Sequence, residues 1–346
     1  MPTSLATGAA AARDLDLFHP WAIDAEAAIA IWRSNARPPR SRSTAASPTR
    51  KAPGVSAQQS HFYAANTRGF GAGYASSRHS LSVAPIASLP GQGRRRHAAR
   101  RLVQLDALGR RACARRQRSA AMPPSARCSR LGSQKIKTCE VPVLYESSLA
   151  AGLLGAYVQA TSGGALYRKS SFLEGCLGKR VLAGHLDLRE DPHLSRGKGS
   201  APFDDEGVVT APRDIVVAGV AESYFLSTYS ARKLGMKTTG HAGGSHNLTL
   251  TSRLTAPGDD LEAMLRSSGR GLFVIELMGQ GVNYVTGDYS RGAAGFWVEG
   301  GKITFPVHEV TIAGNLRDMF KRDRRRRCRC VHDGQQDDWL GADRDG

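Results

Sequence analysis

Two histidines in a glycine-rich segment are candidates for metal chemistry. His241 and His246 stand in TGHAGGSHN, and an imidazole nitrogen is a common zinc ligand. Four residues separate them, and the glycines among those four fix no common face for the two rings. The spacing therefore favours polar loop residues over a metal pair. Gly240, Gly243 and Gly244 instead offer a place where another backbone can approach closely.

A second candidate is the pair His308-Glu309, which begins like a zinc-binding helix motif. The chain continues as VTIAGN, without a second histidine one helical turn away. The surrounding pattern is typical of β structure, so we interpret both residues as polar positions of an edge strand.

Two further polar clusters carry weaker signals. Asp288, Tyr289 and Arg291 in GDYSRG are typical of a compact, hydrogen-bonded turn, and this interpretation is favoured over a substrate contact. Residues 204–206, two aspartates and a glutamate, form an acidic loop. They lack the alternating spacing of a calcium-binding loop.

The cysteines predict neither a disulfide framework nor a zinc framework. No C-x-x-C pair occurs, and Cys328-Arg329-Cys330 is too short to supply a tetrahedral site. The six cysteines are Cys113, Cys128, Cys139, Cys176, Cys328 and Cys330.

The net charge of +18 would ordinarily suggest nucleic acid as a partner. The excess is local, however. Basic residues crowd 33–51 and 88–138, where Asp106 is the one acidic residue, whereas the charges of 139–320 nearly balance. A nucleic-acid-binding protein is therefore the weaker alternative.

The same basic stretches have no apolar periodicity and hence no face to bury. They fit a phosphate-binding arm, a disordered linker, or translation of a G+C-rich gene in the wrong reading frame. The frameshift is favoured, because patterned sequence resumes on both sides. We predict that 33–51, 88–132 and 321–346 lie outside the fold.

Nothing in the sequence suggests a membrane or a secretory route. The N-terminus lacks a positive region followed by an apolar core, and no run approaches the roughly 18 apolar residues of a membrane helix. We therefore expect a cytoplasmic protein.

Several elements are predicted by local patterns. A helix begins near Asp24 in 18–32, and two strands surround a loop in 60–87. A short strand in 141–147 precedes a helix that Ser147 or Ser148 could cap.

Turn chemistry predicts two hairpins in the C-terminal half. They turn at Ala218-Gly219 and at Gly300-Gly301, which joins the alternating runs FWVE and KITF. Between them, a short helix over 259–268 begins at Asp259 or Asp260.

The predicted class is α+β. A small α/β N-terminal domain (1–138), degraded by segments 33–51 and 88–132, precedes a β-rich C-terminal domain (139–320) of mixed and antiparallel sheets. An aberrant disordered tail occupies 321–346.

Several long motifs resemble one protein family. GDYSRGAAGFWVE, EVTIAGNLRDMF, YSARKLGMKTTGHAGG and the GFxxGYxxSRHS pattern from Gly69 to Ser80 are similar to the TldD/PmbA family, most closely its PmbA (TldE) branch. The resemblance implies a subunit of a cytoplasmic metallopeptidase complex, a group also called modulators of DNA gyrase.

The resemblance also locates the family's zinc motif. In the TldD branch, a helix carries H-E-x-x-x-H, and this chain has Val158, Gln159 and Gly163 at those positions. The family's third ligand, a cysteine, falls where this chain no longer follows the family. We therefore expect no catalytic residue and no metal ligand in this chain, with zinc on a TldD-like partner.

In that family, the paired subunits enclose a channel for unfolded peptides, such as an antitoxin or a microcin leader. The residues that the resemblance makes candidates for lining the channel are Gly240, His241, Gly243, Gly244 and Arg291. An alternative is a self-sufficient metallopeptidase whose zinc is held by His241, His246 or His308.

Overall fold

The structure is a computed structural model that describes residues 13–21, 23–36, 47–88, 98–99, 132–255, 259–322 and 330–332. Most of the segments predicted to lie outside the fold fall outside these described residues. The division into domains at 138/139 stays a prediction.

The N-terminal part is a helix and an antiparallel sheet. Helix α1 (Ala25–Ala36) begins where predicted, because Asp24 Oδ1 accepts a hydrogen bond from Ala27 N–H at 2.6 Å. Strands β1 (Ser47–Ala65) and β2 (Gly71–Ser88) form the predicted pair, and β3 (Ala98–Ala99) adds to β2.

The prediction that 33–51 and 88–132 lie outside the fold is wrong for parts of both segments. Helix α1 extends through residues 33–36, β1 begins at residue 47, and β3 lies within 88–132. Strand pairing joins backbone groups, so it requires no apolar alternation in the sequence.

The second sheet has the order β11-β10-β9-β4, and helices lie in the segments that connect its strands. Strand β4 (Val143–Tyr145) pairs in parallel with β9 (Gly271–Met278), and β9 pairs antiparallel with β10 (Asp288–Glu299). The predicted turn at Gly300-Gly301 is confirmed. Both glycines have positive φ, and β11 (Lys302–Asn315) returns beside β10.

Two helices follow strand β4 of the second sheet. Helix α2 (Ser147–Ala160) follows β4, and α3 (Gly163–Tyr167) follows α2 after a two-residue break. The predicted serine cap of α2 is wrong: Glu146 precedes the helix without a side-chain cap, and Ser148 Oγ instead donates to Glu146 Oε2.

The third sheet has the order β12-β8-β5-β6-β7, where β12 is the strand Cys330–His332. It contains β5 (Leu186–Asp191), β6 (Arg213–Val217), β7 (Val220–Ala221) and β8 (Asn247–Ser252). The hairpin between β6 and β7 turns at Ala218-Gly219 as predicted, and both residues have positive φ. Helix α4 (Thr228–Lys233) connects β7 to the loop before β8.

Three short elements complete the described chain. Helix α5 (Leu261–Ser268) is capped by Asp260, as predicted, and α6 (Leu316–Lys321) follows β11. Strand β12 (Cys330–His332) pairs with β8. The prediction that 321–346 contributes nothing to the fold is therefore wrong for β12. Without β12, strand β8 would be an edge strand, and the backbone groups of an edge can pair with a segment of any sequence.

The packing confirms the α+β class. The largest core joins α2, the third sheet and α6, with Tyr157, Leu188 and Leu226 fully buried. Two smaller cores lie on the second sheet. Within the described part of the chain, no helix combines the length and apolar character that crossing a membrane requires.

One aromatic residue fastens the N-terminal sheet to the rest of the chain. Phe203 is 2% exposed, and its ring lies 5.2 to 6.0 Å from those of Phe62, Phe70 and Tyr74. Buried aromatic contacts of this kind add specific geometry to apolar burial. The two predicted domains therefore contact each other.

Candidate functional site

At the α2–α3 corner, where the family's zinc motif would lie, residue 163 has no room for a side chain. Gly163 is buried, and a Cβ atom added there would lie 2.2 Å from Ser230 Oγ and 2.4 Å from Ser230 Cβ. Val158 packs against the core, and Gln159 is exposed. The residues present do not fit zinc.

The corner is also held by main-chain hydrogen bonds. Gly163 N–H donates to Phe225 O at 2.8 Å, and Ser162 caps α3 by accepting from Ala165 N–H. A side chain at 163 would therefore have to move either α4 or this backbone. That this chain holds no zinc stays a prediction, and the structure adds that Ser230 occupies the space beside residue 163.

A buried charge cluster brings together residues from two strands and the glycine-rich loop. Glu190 of β5 is fully buried and accepts hydrogen bonds from Arg213 Nε at 2.9 Å and from His246 N–H at 2.7 Å. His241 Nε2 lies 2.8 Å from Glu190 Oε2, and His246 Nδ1 lies 3.3 Å from Oε1. Both carboxylate oxygens are thus occupied.

Arg213 is satisfied by several neighbours besides Glu190. Its Nη1 donates to Ser223 Oγ at 2.7 Å and to Tyr224 O at 3.0 Å, and its guanidinium lies over the Phe225 ring. Its Nη2 lies 3.0 Å from His241 Nε2. The positively charged guanidinium of Arg213 therefore occupies the space beside the two histidines.

The electrostatics of the cluster follow from this geometry. Burial alone would raise the pKa of Glu190, but the hydrogen bonds of His241 and His246 and the charge of Arg213 outweigh it and hold that pKa far below its usual range. Burial lowers the pKa of His241, against the opposing effect of Glu190. The arrangement thus favours an ionised carboxylate beside a neutral His241.

The same three residues are a possible metal ligand set. Among the described residues, Glu190, His241 and His246 are the group whose ligand atoms lie close enough, all within 4.8 Å of one another. A cation there would have to displace the Arg213 guanidinium, which carries like charge. The geometry therefore favours a structural ion-pair network that fixes the glycine-rich loop on β5.

Sequence reasoning separated the two histidines, and the structure brings them together. Their ring centroids are 5.0 Å apart because both converge on Glu190, which was not among the predicted site residues. A signal existed: in β5, Leu186, Leu188 and Glu190 alternate onto the buried face. A carboxylate at an inward strand position requires partners.

The predicted channel residues of the loop have different surroundings. A Cβ at Gly243 would lie 2.6 Å from Asp205 Oδ2, so the close approach at this glycine is made within the chain. A Cβ at Gly244 would meet nothing within 4 Å. Gly240 and Arg213 adjoin an open cleft, whose other walls are Val208, Val209, Ala211, Ser223, Thr238 and Thr239. That these residues contact a peptide stays a prediction.

Arg291 lies elsewhere, in a second pocket against α2. This pocket encloses about 80 Å³ between α2, the end of β9 and the start of β10. Its lining residues are Leu149, Gly152, Leu153, Ala156, Leu277, Gln280, Val282, Tyr284, Tyr289 and Arg291. The predicted polar turn at 288–291 is wrong, because these residues begin β10 and the turn precedes them.

The other candidate ligands have structural partners. His308 and Glu309 lie on β11, at the edge of its sheet, as predicted, and Glu309 pairs with Lys135 at 2.7 Å. Asp204 is buried and accepts hydrogen bonds from the N–H groups of Val208 and Ala242. These contacts give Glu309 and Asp204 structural roles.

Comparison with known proteins identifies two matching regions. Residues 138–325 match the PmbA/TldA metallopeptidase C-terminal domain, and residues 18–120 match the central domain of the same proteins. The chain is 44% identical to "Metalloprotease PmbA" of Escherichia coli O157:H7 over 318 residues, which cover 90% of this chain and 67% of that protein.

Two further comparisons agree. A "Metalloprotease PmbA homolog" of Haemophilus influenzae is 54% identical over 193 residues, 56% of this chain and 42% of the relative. A solved structure from Bacteroides thetaiotaomicron, named as a candidate modulator of DNA gyrase, superposes with a TM-score of 0.75 at 24% identity. It covers 96% of this chain and 76% of that one, so it shows the fold.

Proposed function

Because this chain belongs to the PmbA/TldD metallopeptidase family, we propose that it is the zinc-free subunit of a two-subunit peptidase. The motifs that indicated this family in the sequence are thereby confirmed. The chain spans 67% and 42% of the lengths of the two PmbA relatives above, so the activity of a whole subunit is part of the proposal.

The single observation that carries the proposal is the contact between Gly163 and Ser230. A glycine in van der Waals contact with α4 occupies the position of a zinc-binding histidine, and any Cβ there would overlap Ser230. Valine and a neutral amide stand at the other two positions. Zinc requires thiolate, imidazole or carboxylate ligands. We therefore assign the zinc to a TldD-like partner.

The proposed role of this chain is to form part of a channel for unfolded peptides. Strands β11 and β4 are the edges of the second sheet in the described residues, and such edges can bind an extended peptide by main-chain hydrogen bonds. That recognition ignores side-chain identity. The proposed substrates are therefore unstructured chains, of the antitoxin or microcin-precursor type, in the cytoplasm.

The test compares the full chain alone, a TldD-like subunit alone, and the two together. Zinc content is measured by atomic absorption, and cleavage is followed on an unstructured peptide that carries a fluorophore and a quencher. We expect no stoichiometric zinc in this chain and cleavage only by the mixture. Cleavage by this chain alone would overturn the proposal.

A second candidate function rests on Glu190, His241 and His246, whose ligand atoms lie within 4.8 Å. If these residues hold zinc, the chain alone contains one metal ion, and His246→Ala removes it. The matched control is His61→Ala, an exposed histidine of β1 that belongs to no candidate ligand set. Retained zinc in both variants would reject this site.

A nucleic-acid role is the remaining alternative. The segments with the most arginine lie largely outside the described residues. Binding of this type weakens steeply as salt rises, and a variant that lacks 88–132 would not bind. We expect no such binding, because the charges of 139–320 nearly balance.

A further inference from the structure

The pocket against α2 has a wall of apolar side chains and a separate group of polar donors. Leu149 and Leu153 of α2 face Leu277 and Val282 across a space of about 80 Å³. The polar side is formed by Tyr289 and Arg291, which lie two residues apart on β10 and so point to the same face of the sheet.

Three polar atoms at this pocket have no hydrogen-bond partner among the described residues. They are Tyr289 Oη, Arg291 Nε and the nearby Tyr145 Oη. Tyr145, at the end of β4, lies beside Tyr289, whose hydroxyl can also accept from it, and near the charge of Arg291. The three residues thus form a group of donors without a charged acceptor.

Buried donors without a hydrogen-bond partner lower the stability of a folded protein. A buried donor without a partner loses its hydration and gains nothing in return. Burial, followed by the proximity of Tyr289, raises the pKa of Tyr145 well above its usual range, so this phenol stays protonated and able to donate. None of the residues that line the pocket is acidic, and Arg291 carries their one charge. A bound anion would supply the missing acceptor.

The size of the pocket limits what that anion can be. One water molecule needs about 10–15 Å³ of such space, so about 80 Å³ holds a carboxylate together with an apolar side chain on the carbon that bears it. A carboxylate has two oxygens that accept bonds from an arginine and a hydroxyl together. The leucines beside the donors suit an apolar side chain on that carbon.

We propose that this pocket binds the C-terminal carboxylate of a peptide, with Arg291 and Tyr289 on the carboxylate and Leu149, Leu153 and Leu277 around the last side chain. The proposal rests on the peptide-binding role proposed above and specifies which end of a peptide this subunit holds. A carboxylate of an internal acidic side chain, or of a free small acid, has the same chemistry and must be separated by experiment.

The test measures binding of labelled peptides to the full chain by fluorescence anisotropy. Three N-acetylated hexapeptides are compared: one ending in leucine as the free acid, the same peptide as its C-terminal amide, and an amide that carries an internal glutamate. We expect the free acid to bind at least about tenfold more tightly than either amide, since a charge-assisted hydrogen bond is lost in each. Acetate serves as a competitor at roughly 10-fold excess over the protein. It should not displace the bound free-acid peptide.

Substitutions of pocket residues test whether the free-acid peptide binds in this pocket. Arg291→Met should weaken binding of the acid about tenfold or more, and Tyr289→Phe by about two- to tenfold, with the amide unaffected. Arg232→Met is the matched control, because it removes an exposed arginine from α4, outside the pocket, and should change nothing. Gly152→Met narrows the pocket from α2 without removing a donor, and should also weaken binding of the acid.

The proposal is overturned if acid and amide bind equally, or if a folded Arg291→Met variant binds the acid as the wild type does. Should Arg291→Met fail to fold, Gly152→Met decides instead. Acid selectivity without cleavage in the two-subunit assay would reject the proposed function alone. Cleavage without acid selectivity would reject this inference alone.

Discussion

Two groups of buried polar residues in this chain differ in one respect, the completeness of their hydrogen bonding. Around Glu190, both carboxylate oxygens and the Arg213 guanidinium have partners within 3.3 Å. Around Arg291, three polar atoms have none among the described residues. A completed network stabilises the fold, whereas an incomplete one is a cost that a ligand can remove. The difference separates a structural site from a binding site.

The largest expected effect is at Glu190. Glu190→Ala leaves Arg213 without its buried counter-charge and should lower the free energy of unfolding by about 3–5 kcal/mol, measured by urea denaturation. Arg291→Met should change stability by less than about 1 kcal/mol, because no described partner is lost. Equal losses from the two variants would remove the distinction between the groups.

A smaller loss is expected at the α2–α3 corner. Gly163→Ala places a methyl group 2.2 Å from Ser230 Oγ and should cost about 1–3 kcal/mol through overpacking. Ser230→Gly removes the opposing atoms, so the double variant should lose less than the sum of the two single variants. Strict additivity in this cycle would show that positions 163 and 230 do not interact, against the contact described at this corner.

The fold was predictable where a few adjacent residues determine the conformation. Gly300-Gly301 needs positive φ at both positions, and Asp260 caps α5 with its own side chain. Strand β12 was missed, because its pairing with β8 uses backbone groups and leaves no pattern in the side chains. Local chemistry therefore predicts turns and caps better than it predicts strands at a sheet edge.

The site was less predictable, because its contacts are distant in sequence. His241 meets Glu190 only through the pairing of β5 with β8, and no spacing rule connects the two residues. The sequence identified Arg291 as a candidate peptide contact. It placed this residue in a turn, since Gly287 and Gly292 are the two ends of the GDYSRG motif. Strand β10 instead aligns it with Tyr289. Motif similarity located the positions of the family's zinc ligands, and tertiary structure shows that Ser230 lies against the glycine at one of them.

The pH dependence of stability should reflect the Glu190 group. The pKa values of Glu190 and His241 are both lowered in the folded chain. The unfolded chain therefore binds more protons, and stability present at neutral pH is lost as pH falls below about 6.5 for the histidine and about 4.3 for the glutamate.

Thermal unfolding between pH 7.5 and pH 4 measures this loss. In Glu190→Gln the acid-induced decrease in melting temperature should be steeper than in wild type, because the carboxylate no longer opposes the effect of burial on the pKa of His241. Asp187→Asn is the control for a partly exposed carboxylate whose pKa the Arg253 hydrogen bond lowers. A shallower decrease in Glu190→Gln than in wild type would contradict the assignment of charge in the cluster.

The smallest expected effect compares the free space beside the Glu190 group with the free space beside the pocket of Arg291. A Cβ at Gly152 on α2 meets nothing within 4 Å, so Gly152→Ala should stabilise the helix by about 1 kcal/mol without blocking the pocket donors. A Cβ at Gly199 would lie 2.9 Å from the backbone of His246, so Gly199→Ala should destabilise the chain. Urea denaturation of both variants checks these opposite signs. A gain at Gly199 or a loss at Gly152 would mean that the pocket is the closely packed region and the Glu190 group the open one.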